Sequence, residues 1–161
     1  MDFNHFDEDG NARMVDVSGK EPSLRQAEAE AEVKLGPALL AQVLDRDIAK
    51  GDVMGVARLA GIAAVKKTPE LIPLAHPLAV HHVEVGFDPE TSEGILTVTC
   101  RVRARDRTGM EMEAMTGATV AALTVYDMCK GQDMGISVGP IRLVSKSGGR
   151  SGDWKRKEGG R

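Results

Sequence analysis

The feature that most restricts the fold of this chain is residues 109–130, a long stretch with very little charge. Between Glu113 and Asp127 it contains only Ala, Gly, Leu, Met, Thr, Tyr and Val, so a helix here would be apolar on nearly all sides and would have to be buried on most of them. Glu111 and Glu113 at its start and Lys130 at its end suit the helix dipole, whereas Asp127 lies at the unfavourable end. The stretch predicts a buried helix with candidate chemistry at both ends.

Composition narrows the class of protein. The 161 residues are 42% hydrophobic and 28% charged, which is ordinary for one globular domain, but only 3% are aromatic, so the core must be aliphatic. A net charge of −3 argues against broad binding of nucleic acid or anionic membranes. Cys100 and Cys129 are the only cysteines, and neither a secretory leader nor a membrane-spanning run is evident. We therefore expect a cytoplasmic protein with reduced thiols.

A second stretch, residues 24–35, gives two conflicting signals. Its Ala and Glu residues favour a helix, but apolar and charged residues alternate strictly, which is the period of a half-buried strand. We give the period more weight and predict a strand. The alternating apolar residues are Ala27, Ala29, Ala31, Val33 and Leu35, and the charged ones are Glu28, Glu30, Glu32 and Lys34.

Two helical segments are predicted before the long helix. The first begins at Pro37, a residue that is favoured in the first turn. The second covers residues 52–66, is capped by its first residue, and carries apolar residues three and four apart. Gly55 and Gly61 permit close packing of this helix, and the Thr-Pro pair at residues 68–69 is expected to end it.

Strand signals complete the fold. Residues 14–18 predict a short strand or an extended arm, and two prolines make residues 71–78 a rigid extended segment. Residues 80–87 and 95–103 alternate around a turn signal and predict a hairpin, and residues 136–144 predict a final strand. The order βαββαβ indicates an α+β, ferredoxin-like fold with helices on one face of an antiparallel sheet.

Three regions follow from this reading. We predict a disordered leader at residues 1–12, a single catalytic domain at residues 13–147, and a flexible tail, rich in Gly, Ser and Lys, at residues 148–161.

Polar residues in three places are candidates for chemistry: Lys50 in a turn, His76 between two prolines, and the charged residues at the ends of the long helix. Each has an ordinary alternative, since turn lysines are usually solvated and such a histidine is usually packed. His81 and His82 point to opposite faces of a strand, and no histidine spacing matches a zinc template. We predict no metal held by the protein.

Five motifs, in this order and spacing, closely resemble the molybdenum cofactor biosynthesis protein C family, the cyclic pyranopterin monophosphate synthases. They cover the chain from about residue 14 to residue 152. The motifs are VDVSGK, AKGDVMGVARLAGI, LIPLAHPL, GMEMEAMTGATVAALTVYDMCK and IRLVSKSGG.

The resemblance implies an activity and partners. The family converts 3′,8-cyclo-7,8-dihydro-GTP, supplied by a radical enzyme of the pathway, to cyclic pyranopterin monophosphate and pyrophosphate. It needs no organic cofactor, although Mg²⁺ could accompany the triphosphate. Its members are homohexamers, trimers of dimers, and the resemblance implies active sites at a subunit interface.

The resemblance also implies roles for individual residues. Catalytic roles fall on Asp127, Lys50 and Lys130. Substrate contacts fall on Leu74, Ala75, His76, Met112 and Glu113, and further pocket positions on Glu111, Arg25 and Lys146. Ala75 stands where many relatives have Cys, so an essential thiol is not expected there.

The residues themselves fit proton transfer beside a triphosphate, because lysines, a histidine and carboxylates move protons and neutralise phosphate. A partly desolvated lysine near another cation has a lowered pKa, which would allow Lys50 or Lys130 to act as acid or base. The alternative from another class is a non-catalytic ferredoxin-like module that binds a small molecule and oligomerises.

Overall fold

The computed structural model describes residues 5–46, 48, 50–149 and 152–157. They form an α+β structure in which the helices pack on one face of a single sheet. In chain order the elements are β1 (Ser23–Lys34), α1 (Pro37–Leu44), α2 (Val53–Lys66), α3 (Thr68–Leu71), β2 (His82–Glu90), β3 (Ile95–Asp106), α4 (Glu111–Cys129), β4 (Ser137–Ser147) and β5 (Trp154–Lys155).

The sheet has the order β2-β3-β1-β4-β5, and every neighbouring pair of strands is antiparallel. The long helix α4 packs over β1, β3 and β4, and α2 packs beside it, against α4 and β2. Strands β1 to β4 with their helices follow the βαββαβ order of a ferredoxin-like fold. The predicted fold class is confirmed.

Strand β1 shows why the two-residue period prevailed over helix propensity. Ala29, Ala31 and Val33 are fully buried on the face that α4 covers. The glutamates between them lie on the outer face of the sheet, the face away from the helices, where Glu28 pairs with Arg101 and Arg142 pairs with two further glutamates of β1. In a helix the apolar residues and the glutamates would each be spread around the whole circumference. In the sheet the apolar residues are buried on one face and the glutamates form ion pairs on the other.

Two glycines set the distance between α2 and α4. A Cβ atom on Gly117 would lie 2.5 Å from Sγ of Cys100 and 2.7 Å from a methyl group of Val65, and one on Gly61 would lie 3.0 Å from the Gly117 carbonyl oxygen. Close packing at Gly61 is therefore confirmed. Gly55 serves another purpose, because its backbone N–H donates to the capping carboxylate of Asp52, 2.8 Å away.

The helices differ from the prediction in two places. Thr68 and Pro69 do not simply end α2, because they begin the short helix α3, where proline suits the first turn. Helix α4 is also less enclosed than its composition suggested: Leu123 is exposed on the side away from the sheet. No helix in the described part of the chain is long and apolar enough to cross a membrane.

The two ends of the chain also form contacts. Residues 14–17 are an extended arm without regular structure, held where the Val15 carbonyl bonds to His76. The predicted disordered leader lies partly outside the described residues, but Phe6 and Ala12 form an isolated bridge. In the predicted flexible tail, β5 adds to the edge of β4, a strand that the sequence analysis did not predict.

Candidate active site

Three predicted catalytic residues meet at the C-terminal end of α4, and we call them the C-terminal cluster. Lys50, from the loop before α2, donates from Nζ to the backbone carbonyl of Asp127 at 2.7 Å, and the same Nζ lies 3.8 Å from the Asp127 carboxylate. Lys130 reaches the carboxylate from the other side at 2.8 Å. The structure thus brings Lys50, Asp127 and Lys130 together from distant parts of the sequence.

The C-terminal cluster is open to solvent, which corrects the expectation that this pair lies on a buried part of the helix. The side chain of Asp127 is 60% exposed because it lies on the opposite side of the helix from the fully buried Val125 and Cys129. The hydrogen bond from Lys130, followed by its charge and that of Lys50, lowers the pKa of Asp127. The same contact raises the pKa of Lys130, opposite to the lowering considered from the sequence. Lys130 is therefore a cation in this arrangement.

At the other end of α4, a β-bulge directs Lys146 towards the helix. Leu143 opposes Ala29 and Ser145 opposes Glu28, so the register of β1 and β4 skips Val144. One extra residue reverses which face the following side chains occupy. Lys146 consequently lies opposite Ala27, on the helix side, and its Nζ contacts the Glu111 carboxylate at 2.8 Å.

Arg25 lies beside this ion pair, at the start of β1. Its guanidinium donates to three backbone carbonyls, those of Asp106 at 3.3 Å, Arg107 at 3.2 Å and Gly148 at 3.4 Å. Arg25, Glu111 and Lys146 line a cavity of about 640 Å³. A cation fixed by backbone oxygens at a cavity wall suits an anionic ligand.

A second cavity, of about 340 Å³, adjoins the first through Lys20 and Glu111, which line both. We call the two cavities together the N-terminal pocket, since they surround the first turn of α4. The remaining predicted substrate positions line the second cavity: Leu74, Ala75, His76, Met112 and Glu113. The structure therefore brings all eight predicted substrate-binding residues to one end of α4.

Glu113 is the unusual group in the N-terminal pocket, because only 3% of the residue is exposed. Burial raises the pKa of its carboxyl to about 7, and the nearby charges of Glu111 and Asp106 act in the same direction. No cation of the described residues lies within salt-bridge distance of it. Strongly perturbed carboxyl groups in a cleft are typical of functional sites.

His76 is held by the N-terminal arm. Its Nε2 lies 2.8 Å from the backbone carbonyl oxygen of Val15, and because a carbonyl oxygen can only accept, Nε2 must carry the hydrogen. In the neutral ring this leaves Nδ1 free to accept a proton from a ligand.

The sequence analysis missed several residues of the N-terminal pocket. Lys20 lines both cavities, and its position at the end of the VDVSGK motif was the available signal. His5, in the predicted leader, lines the second cavity. Gly148 and Gly149 line the first, although glycines in this region had been assigned to the flexible tail.

The C-terminal cluster and the N-terminal pocket do not meet within one chain. Fourteen residues separate Glu113 from Asp127 in α4, which corresponds to roughly 21 Å along the helix axis at about 1.5 Å per residue. The four cations among the predicted site residues are thus divided, with Lys50 and Lys130 at one end of α4 and Arg25 and Lys146 at the other.

Among the described residues, no group of three or more His, Cys, Asp or Glu side chains is placed to hold a metal ion. The prediction about Mg²⁺ concerns the phosphates of a substrate and stays a prediction.

Comparison with known proteins gives the family. The model of the MoaC family matches residues 14–149, most of the chain. This chain belongs to the MoaC family. The match ends at Gly149, so strand β5 of this MoaC-family chain lies outside the matched residues.

Relatives with assigned names agree with the family match. The cyclic pyranopterin monophosphate synthase of Geobacter sulfurreducens is 62% identical over 99% of both chains. That of Geotalea uraniireducens is 64% identical over 98% of this chain and 99% of its own. That of a Roseiflexus species is 50% identical over 95% and 97%, respectively.

Proposed function

We propose that this MoaC-family chain is a cyclic pyranopterin monophosphate synthase, a lyase of molybdenum cofactor biosynthesis. It converts 3′,8-cyclo-7,8-dihydro-GTP to cyclic pyranopterin monophosphate and releases pyrophosphate. The observation that carries the proposal is identity of 62% and 64% over nearly the full length of two relatives that bear this name. The radical enzyme of the pathway supplies the substrate.

The N-terminal pocket has the chemistry to bind a nucleoside triphosphate derivative. Lys146 and Arg25 line the larger cavity beside Lys20, and these cations neutralise phosphate charge. The smaller cavity offers Leu74 and Met112 as apolar walls, with His76 and Glu113 as polar groups. A protonated Glu113 donates a hydrogen bond, so a pKa near 7 suits recognition of a heterocycle that presents acceptors.

The C-terminal cluster supplies proton transfer. In the phosphoryl step a ribose hydroxyl oxygen bonds to the α-phosphorus, the bond to pyrophosphate breaks, and the hydroxyl proton passes to a base. Lys130, kept charged by Asp127, neutralises charge or donates a proton. Asp127 holds Lys50 and Lys130 on its two sides, which orients both ammonium groups.

We infer that one active site combines the C-terminal cluster of one subunit with the N-terminal pocket of another. A compact substrate cannot reach both ends of α4, which are roughly 21 Å apart. The helix layer also exposes apolar side chains that an assembly would cover, namely Val56 and Leu59 of α2 and Leu123 of α4. These features support association with further copies of the chain, and the family resemblance implies that the assembly is a homohexamer built as a trimer of dimers.

The proposed setting is the cytoplasm, and no organic cofactor is needed. Both cysteines are buried free thiols, and burial raises the pKa of the Cys100 thiol to about 12, so it is an unreactive core residue. Any Mg²⁺ would arrive with the triphosphate.

The direct test is incubation of the purified chain with 3′,8-cyclo-7,8-dihydro-GTP. We expect equal amounts of pyrophosphate and cyclic pyranopterin monophosphate, measured by a coupled pyrophosphate assay and by mass spectrometry. Saturable binding of the substrate without release of pyrophosphate would overturn the proposal and favour a non-catalytic binding module.

A further inference from the structure

Gly148 and Gly149, in the turn that precedes β5 in the chain, line the larger cavity of the N-terminal pocket, and β5 pairs with β4, the strand that carries the lining residue Lys146. Trp154 and Lys155 pair with Lys146 and Ser145, respectively, so β5 lies directly beside the lysine that contacts Glu111. The backbone N–H of Arg156 donates to the carbonyl of Val144 at 2.8 Å. Val144 is the bulged residue that the β1 register skips, so β5 supplies a partner at the bulge that directs Lys146 into the pocket.

Gly148 and Gly149 pack closely against Leu24 and Arg25. A Cβ atom on Gly149 would lie 1.7 Å from Nη1 of Arg25, and one on Gly148 would lie 2.1 Å from the Leu24 carbonyl oxygen. Both glycines have positive φ angles, 89° for Gly148 and 81° for Gly149. This approach requires glycine at two successive positions, and it makes the Gly148 carbonyl an acceptor for Arg25.

Asp153 fixes this turn from the β5 side. Its Oδ1 accepts the backbone N–H of Gly148 at 3.1 Å, and the N–H of Gly152 donates to the Gly149 carbonyl at 3.2 Å. The Arg156 guanidinium adds a hydrogen bond to the Leu143 carbonyl at 2.8 Å and lies 5.7 Å from the centre of the Trp154 ring. The segment is thus anchored on both sides of the bulge.

We propose that β5 with Asp153 is a positioning element for phosphate binding, acting through Gly148 on Arg25 and through the bulge on Lys146. The proposal rests on the proposed function for the identity of the substrate. It assigns a role to residues beyond the part of the chain that the MoaC family model matches. Asp153 lines neither cavity of the N-terminal pocket, so its loss should affect binding of the phosphates and not the chemical step.

The kinetic test compares Asp153→Ala with Asp153→Asn. We expect the alanine variant to raise KM about five- to tenfold with kcat changed less than about twofold, the loss of one hydrogen bond. The asparagine variant keeps an acceptor oxygen and should recover most of the KM. A merely structural role would instead lower kcat together with the thermal unfolding midpoint in the alanine variant.

Glu90→Ala is the matched control. Its carboxylate also fixes a hairpin turn, accepting the N–H of Ser92 at 3.2 Å and its hydroxyl at 2.7 Å. That turn joins β2 and β3 at the opposite end of the sheet, so we expect an unchanged KM. An unchanged KM in Asp153→Ala, or an equal rise in Glu90→Ala, would overturn the proposal.

A binding test needs no turnover. Trp154 is the only tryptophan, and it is 42% exposed beside Lys146. Titration with inorganic pyrophosphate should change its fluorescence, with a midpoint that moves to higher concentration in Asp153→Ala and returns in Asp153→Asn. The same midpoint in all three proteins would refute the role of β5. Failure of the wild-type chain to release pyrophosphate from its substrate would refute only the proposed function.

Discussion

The two ends of α4 hold their charges in opposite ways. At the C-terminal end Asp127 is largely exposed and contacts two lysines. At the N-terminal end Glu113 is almost fully buried, and burial raises its pKa to about 7. Asp127 is stabilised in the presence of solvent by contact with opposite charges. Glu113, in contrast, is buried because the fold removes its carboxyl from water. One end therefore presents exposed charged groups, and the other presents a buried carboxyl at the wall of a cavity.

The largest expected effect is at the C-terminal cluster. Lys50→Ala and Lys130→Ala should each lower kcat by about two to four orders of magnitude, the usual contribution of a positioned acid or base. Both side chains are about half exposed, at 47% and 49%, so the thermal unfolding midpoint should stay near that of the wild type. Lys66→Ala, at the exposed end of α2, is the matched control and should retain full turnover. Near-normal turnover in either cluster variant would contradict its catalytic assignment.

The next prediction asks whether the two ends serve one active site. Glu113→Ala and Asp127→Ala subunits, each inactive alone, are dissociated, mixed and reassembled. In a dimer with two shared sites, half of the mixed dimers' sites contain only unmodified residues, so random mixing should restore roughly a quarter of the wild-type activity.

The control for this experiment is proof of exchange. Subunits carrying different mass tags should appear together in native mass spectrometry. Complete exchange without recovered activity would place each active site within a single chain.

Much of the fold was predictable because its signals are local. Strict alternation identified β1 despite its helix-forming residues, and the long uncharged stretch identified α4. Apart from Arg25, the candidate site residues lie in the five motifs, and none of them was identified from periodicity. What the composition of the stretch does not show is which side of the helix is exposed: Asp127 faces solvent, although Val125 and Cys129, two residues before and after it, are fully buried.

The features missed from the sequence depend on long-range pairing. Lys146 reaches Glu111 because one residue of β4 is bulged, and an alternating pattern does not reveal which residue that is. Strand β5 is two residues long and follows a glycine-rich turn, so its pairing with β4 leaves no periodic signal. Glu113 lines one cavity together with the N-terminal arm and the segment around His76, which are remote from it in sequence.

A smaller effect concerns stability at the N-terminal end. The pKa of Glu113 rises from 4.5 to about 7 on folding, so between these values the folded state binds more protons than the unfolded state. Its contribution to stability is present below about pH 4.5 and is lost as pH rises through 7, a change of up to about 3 kcal/mol.

Glu113→Gln removes this titration and is the variant to measure. Its free energy of unfolding minus that of the wild type should be more favourable at pH 8 than at pH 5. Urea unfolding at both pH values measures this difference. Asp88→Asn, on an exposed part of β2, serves as a control in which the carboxyl that is removed is exposed and not buried. If the difference in free energy of unfolding between Glu113→Gln and the wild type is the same at both pH values, the Glu113 carboxyl does not titrate between them in the folded state, and the prediction is wrong.

The smallest expected effect separates the two ends by their response to salt. If Lys146 and Arg25 bind phosphates, KM should rise by about two- to fivefold as ionic strength increases, because partly exposed charges are screened over about 8 Å at physiological salt. Lys146→Ala should raise KM at low salt and reduce this salt dependence. Arg103→Ala removes the same charge from the outer face of β3, between the buried residues Val102 and Ala104, and should leave the dependence unchanged. A KM that does not respond to salt in the wild type would contradict phosphate binding by the partly exposed cations at either end of α4.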